Sequence, residues 1–276
     1  RRGIQVDLET IDAAISIVNR AVIKYTQELV RITNGQVQSA AEVARLIKWA
    51  NARYETGLKD LKAETVDAVL KRSDLPDSVR RVLEIRQRLN SAAIKKLYSM
   101  KNQACKNGRI YDLFVYHKAR TGRAAGVGPQ PHNFPNSGLT VFKCLSCLHY
   151  YSTFSRCHWC GCHTALIPQE WGHHAAQDAI ETIKTGSLDY VELMWGDALS
   201  AISGCLRGMI IAKPGHELIG CDYNSIEAIV LAAVASENWR LEVFKTHGQI
   251  YEMSASKITG VPLEAFLKHK HETGNH

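Results

Sequence analysis

The sequence has no apolar run long enough to span a bilayer: the longest near-continuous one, Ile226 to Ala235, is interrupted by Glu227 and is the size of a core helix. It also has no signal peptide, no internal repeat and no low-complexity tract. These absences argue against a helical membrane protein, a secreted protein and a solenoid, and the chain is expected to be soluble, free of membranes and cytoplasmic. Negative charge is in short supply, with 27 Asp and Glu against 34 Lys and Arg, a net charge of +7. Basic residues are thick between Lys71 and Arg123, which suits a polyanion such as nucleic acid, although a solvated basic face explains the charge equally well. The chain begins at Arg1-Arg2-Gly3 without methionine and ends in a polar run, Thr273 to His276, so it reads as an excerpt. What it does have is apolar content, 45% of 276 residues, enough for a substantial core and for two domains.

Residues 8 to 33 place Leu8, Ile11, Ile15, Val18, Val22, Tyr25 and Leu29 at helical spacing, and Asn34-Gly35 supplies the stop. Ser39 is expected to open a second helix, and Ala63 to Leu70 a third. One long helix is expected from Asp74-Leu75-Pro76 to Asn107-Gly108, about 45 Å at ~1.5 Å per residue, with Arg80, Arg81, Arg88, Lys95, Lys96, Lys101 and Lys106 supplying charge. After Gly108, Tyr111 to Tyr116 reads as a strand, followed by a Gly/Pro/Asn-rich loop from Thr121 to Gly138. Helical patterns return over Ala175 to Lys184 and Tyr190 to Ile202, then a buried strand, Glu217 to Cys221, and a helix, Ser225 to Ala235.

Four of the eight cysteines form two knuckles, Cys144-x-x-Cys147 and Cys157-x-x-Cys160, with nine residues between them. That is the spacing of a zinc ribbon, four thiolates closing a tetrahedral and therefore structural site, and it points to a reducing compartment. Reduced thiols in a loop are the plainer alternative, and Cys162, His149, His158 and His163 compete for one ligand position. Cys105, Cys205 and Cys221 are expected to be small buried hydrophobes. Lys143, Arg156 and Trp159 could add a contact to DNA or to a partner.

Asp222 stands where the strand from Glu217 ends and a helix begins, a placement that can hold a metal-binding carboxylate rigidly. By itself it reads more readily as a turn or cap residue, and Asn224 with Glu227 has the form of a capping pair.

Asp222-Tyr223-x-x-Ile226-Glu227 resembles motif A of family A DNA polymerases. Tyr116-His117-Lys118-Ala119-Arg120-Thr121-Gly122-Arg123, followed by Gly128-Pro129-Gln130-Pro131-His132-Asn133-Phe134-Pro135, is similar to the phage-type members, in matching order and distance apart from an insertion. Leu206-Arg207-Gly208-Met209 leading to Pro214-Gly215-His216 resembles the lead-in to motif A, and Arg2-Gly3-x-x-Val6-Asp7 the start of the polymerase region. Departures are Ala124-Ala125-Gly126 after the arginine, His132 where glutamine is common and Asn136 where arginine is frequent.

The resemblance, with the cysteine spacing, implies an α+β protein: a helical thumb-like region (1–110), the start of a palm with antiparallel sheet and a primer/template-contact loop (111–140), a zinc-ribbon insertion (141–166), and a palm with motif A and helices leading to the fingers, truncated (167–276). It implies a DNA-directed DNA polymerase of replication, a monomer acting on primer–template DNA and dNTPs, with two Mg2+ ions in the complete enzyme; the one structural Zn2+ is expected from the cysteine spacing and not from the resemblance. Asp222 would bind both magnesium ions, Tyr223 would lend its carbonyl, and Glu227 would reject a ribose 2′-hydroxyl. Thr121, Arg123, Gln130 and Asn133 would lie along the minor groove near the primer terminus, where every base pair offers acceptors. It also implies that Asp222 projects into the cleft that the Thr121 to Pro135 loop lines, and that this piece, lacking the later motifs, is inactive alone. A non-enzymatic zinc-ribbon DNA-binding module with a vestigial palm is the alternative.

Overall fold

The computed structural model describes residues 2–135, 141–144, 146–147, 150–151, 160, 166–169, 173–220 and 225–273. It is mostly helical with small antiparallel sheets, as expected of an α+β chain. Two compact units divide at residues 217 and 218. No helix among the described residues is long and apolar enough to cross a membrane.

The first unit opens with strand β1 (Ile4–Val6) and helix α1 (Leu8–Ile32). Asp7 caps α1, accepting from the Thr10 backbone N–H at 3.1 Å and the Thr10 hydroxyl at 2.6 Å. The helix ends at Asn34 and Gly35, both left-handed, with the Gly35 N–H on the Val30 carbonyl at 2.8 Å. The expected stop is therefore borne out. α2 (Val43–Arg53) starts later than Ser39, whose hydroxyl instead closes a turn by accepting from the Ala41 N–H; α3 (Ala63–Leu70) matches its expected bounds.

The long helix does not form as one piece. It is two, α4 (Asp77–Leu89) and α5 (Ala92–Gln103). Ser91 is extended (ψ 130°), and its hydroxyl accepts from the Ala93 N–H, so a side chain replaces the backbone bond that continuity would need. The break lets each half bury its own stripe: Val79, Val82, Leu83 and Ile85, then Ala93, Leu97 and Met100. Asp74, expected at the cap, instead accepts from Arg72 and the Tyr54 hydroxyl.

Of the strand expected over Tyr111 to Tyr116 only β3 (Phe114–Val115) forms; a separate strand, β2 (Arg109–Ile110), precedes it, and Asp112 (φ 54°) turns the chain between the two. β3 pairs with β4 (Ala125–Gly126). Further on come β5 (Val141–Cys144), β6 (Tyr150–Tyr151) and β7 (Leu166–Gln169), forming an antiparallel sheet in the order β6-β5-β7. Helices α6 (His173–Lys184), α7 (Leu188–Trp195) and α8 (Ala198–Cys205) follow, α7 and α8 being separated by left-handed Gly196 (φ 75°) and by Asp197, which caps α8. β8 (Ile210–Ile211) then joins the first sheet in the order β2-β1-β8, pairing Ile4 with Ile110 and Val6 with Ile210.

The buried strand expected from Glu217 is not formed over residues 217–220, and Leu218 and Ile219 are 60% and 89% exposed. A strand needs a neighbour to take its backbone N–H and C=O groups, and among the described residues this segment pairs with none. Cys221, the last residue of that expectation, lies outside the described residues. The second unit continues with α9 (Ile226–Val234), α10 (Asn238–Thr246), α11 (Ile250–Thr259) and α12 (Leu263–Thr273), each packed on the next. Lys270 ties α12 to α11 by bonding the buried Glu252 carboxylate at 2.6 Å.

α1 is the hub of the first unit: α4, α5, α6, α7 and α8 all contact it. Ile11, Ala14, Ile17, Val18, Ala21 and Leu29 are fully buried along one face. Ile17→Ala is expected to cost about 2–5 kcal/mol in urea unfolding, whereas a loss below about 1 kcal/mol would show that this seam does not carry the fold.

Candidate nucleic-acid interface and thiol cluster

The β3–β4 hairpin and the loop after it carry four of the expected contact residues. Pairing of Phe114 with Gly126 and Val115 with Ala125 sets the hairpin, and Val127 N–H to the Leu113 carbonyl at 2.8 Å extends it. At the tip, the Ala119 N–H reaches the Arg123 carbonyl at 3.1 Å and left-handed Gly122 donates to Ala119 at 2.9 Å. Thr121 and Arg123 are therefore exposed beside Tyr116, which is 88% exposed, and beside Lys118 and Arg120. The His132 ring lies 5.5 Å from that of Phe114, and a Cβ on Gly126 would stand 2.0 Å from His132 Cε1. Glycine is what allows the hairpin to close on the loop.

The loop then turns through Gln130 (φ 51°) into a single 3-10 turn, Pro131–Asn133. Gln130 and Asn133 are bonded to each other, Asn133 Nδ2 donating to Gln130 Oε1 at 3.0 Å and the Asn133 N–H to the Gln130 carbonyl at 2.9 Å. Phe134 anchors the turn, only 3% exposed. Lys96, from α5, donates to the Asn133 carbonyl and sits 5.4 Å over the Phe134 ring. Arg207 donates to the Phe134 and Pro135 carbonyls at 3.0 and 3.1 Å. Burial, helped by the nearby Arg207 charge, holds the Lys96 ammonium below the usual lysine range.

From Leu113 to Pro135 there is no aspartate or glutamate, while Lys118, Arg120 and Arg123 are exposed. An acid-free, basic segment with amide donors is fit to meet phosphates and groove acceptors. The structure brings Gln130 and Asn133 into contact and puts Thr121 and Arg123 at the tip of the adjoining hairpin. Lys96 as the holder of this loop was not legible, because it is 37 residues from its partner Asn133.

Asp222 and Tyr223 lie outside the described residues, as do Cys157, Asn224, Arg156 and Trp159. Glu227 is in the first turn of α9, where the helix dipole favours a carboxylate. The cap position of α9 belongs to Ser225 (φ 51°).

Cys144, at the end of β5, gathers with Cys147 and Cys160 so that the three sulfurs lie within 4.8 Å of one another. Cys144 Sγ and Cys160 Sγ are 3.6 Å apart, close to the ~3.8 Å edge of a thiolate tetrahedron built on ~2.3 Å metal–sulfur bonds. The Cys147 backbone N–H, then that of Ser146 and the neighbouring thiols, pull the Cys144 thiol down to about 6. This donor set fits a soft divalent ion. Of the other cysteines, Cys205 is buried as expected, its thiol pushed up to about 12 by that burial, while Cys105 is exposed, because it sits in the turn after α5.

An acid-free, basic hairpin beside a helical bundle has the chemistry to meet a polyanion. Comparison narrows it: the chain is 28% identical over 268 residues, 97% of its length, to the DNA polymerase of Bacillus phage SP02. It is also 42% and 30% identical over 59 residues to DNA polymerase I of Rhizobium leguminosarum and of Pseudomonas aeruginosa. The polymerase resemblance read from the motifs is thus borne out: the chain is similar to one phage DNA polymerase along almost all of its length and to two bacterial DNA polymerases I over 21% of it. It spans 36% of the phage polymerase and 6% of each of the other two. No family model matches it, and no solved structure does.

Metal titration is expected to fill the thiol cluster at neutral pH. Because the Cys144 pKa is lowered, its thiolate persists above about 6 and affinity should fall as pH drops through that value. Binding that is indifferent to pH across this range would remove Cys144 from the ligand set.

Proposed function

We propose that this chain is the thumb and first part of the palm of a family A DNA polymerase, a DNA-directed nucleotidyl transferase of replication. The observation that carries the reading is the continuous similarity to a phage DNA polymerase over 268 residues, which takes in both the contact hairpin and the Asp222 motif. The acid-free segment from Leu113 to Pro135 supports it independently.

In this reading Asp222 and the Tyr223 carbonyl hold magnesium. The two ions, when bound, supply Lewis acidity to the primer 3′-hydroxyl and to the charge on the transferred phosphoryl group. Glu227 fills the space of a ribose 2′-hydroxyl and so selects dNTPs by exclusion. Thr121, Arg123, Gln130 and Asn133 touch the primer–template minor groove, where donors check the shape of a base pair without reading its sequence. Cys144, Cys147 and Cys160, with Cys157 as fourth ligand, hold one structural zinc that folds the insertion. The protein works as a monomer in the cytoplasm.

In the complete polymerase carrying this chain, Asp222→Ala is expected to abolish primer extension with magnesium and to leave primer–template affinity within a few-fold of the parent. Extension at the parental rate would remove Asp222 from catalysis.

A further inference from the structure

The arginines of α4 are accounted for with one exception. Arg80 donates to the Leu70 and Arg72 carbonyls at 2.6 and 2.7 Å. Arg81 grips the Glu28 carboxylate with two bonds, at 2.7 and 2.9 Å, and Arg88 pairs with Asp197 at 2.9 Å. Arg86 makes no ion pair among the described residues, and its Nε–H is buried without a hydrogen-bond partner. A guanidinium nitrogen shut away from water without an acceptor is costly, and such groups ordinarily find an anion or a carbonyl.

Arg86 also lines a cavity of about 250 Å³ between α3 and α4, with Leu61, Ala63 and Val66 on one side and Gln87 and Asn90 beside it. Gln87 is already engaged, its Nε2 donating to Asp67 at 2.6 Å, so Asp67 serves the amide and not the guanidinium. Burial holds the Arg86 guanidinium below the usual arginine range, with no carboxylate offsetting it, and the group keeps its charge. An open volume, a partly buried cation without a counter-ion and an amide-bearing rim have the chemistry of an oxyanion receptor.

We propose that this cavity is a phosphate-binding site, with Arg86 as the clamping donor and Asn90 as a second one. The site is separate from the contact hairpin and stands without the polymerase reading. A phosphodiester of bound DNA and a free phosphate offer the same oxygens, and the test separates them.

The full chain would be titrated with inorganic phosphate at constant ionic strength while the Arg86 Nε–H resonance is followed. In parallel, the salt dependence of binding to a primer–template duplex would be compared for the parent and Arg86→Gln. A saturable phosphate-induced shift, with the duplex salt slope of the variant lowered by about one contact, assigns the site to a DNA phosphate. A saturable shift with an unchanged slope supports the site and assigns it to a free phosphate compound. A linear, non-saturating response to phosphate together with an unchanged slope overturns the proposal. Saturable phosphate binding by a chain that binds no duplex would keep the pocket and remove the polymerase reading. The parent titration needs no variant to fold.

Discussion

Everything in the first unit rests on the dry seam along α1. Twenty-five residues long, this helix buries an unbroken stripe from Ile11 to Leu29 against five other helices. The seam ends in a wet rim that fixes rotation: Tyr25 donates to Glu192 at 2.9 Å, Arg81 holds Glu28, and the Arg81 and Arg88 guanidinium groups lie 5.7 and 5.8 Å over the Tyr25 ring. Burial first, and then the bond to Glu192, raise the Tyr25 phenol to about 12, so it remains a donor at any physiological pH. Hydrophobic burial supplies the cohesion, and the rim supplies direction.

From that seam the interface follows by short steps. α5 sinks Ala93, Leu97 and Met100 into the core, which leaves Lys96 and Gln103 to face the loop after the hairpin. Gln103 lies so close to Gly128 that a Cβ there would meet its Oε1 at 2.1 Å. Lys96 and Arg207, two cations sharing a stretch of backbone carbonyls, then fasten the 3-10 turn while Phe134 plugs it. A loop held this way can present Gln130 and Asn133 in one geometry, which is what the minor-groove contact proposed for them would require.

Much of this was legible in the chain itself. The α1 stripe, its Asn34-Gly35 stop and the bounds of α3 followed from periodicity and turn chemistry, because those signals are local. The break at Ser91 was missed because a continuous apolar period hid one serine whose hydroxyl competes for a backbone N–H. The strand at Glu217 differs for another reason: a short apolar run such as Leu218-Ile219 records what a segment could bury, and only a neighbouring strand decides whether it does. The knuckle spacing did anticipate that Cys144, Cys147 and Cys160 converge. The Lys96, Arg207 and Phe134 clip could not be read at all, since its members are joined only by the fold, and neither could the unpaired state of Arg86.

Hydrogen exchange of the chain with and without a primer–template duplex tests the central claim most directly. The account predicts added protection of backbone amides from Leu113 to Phe134 when the duplex is bound. Bound duplex with those amides exchanging at their free rates would contradict it.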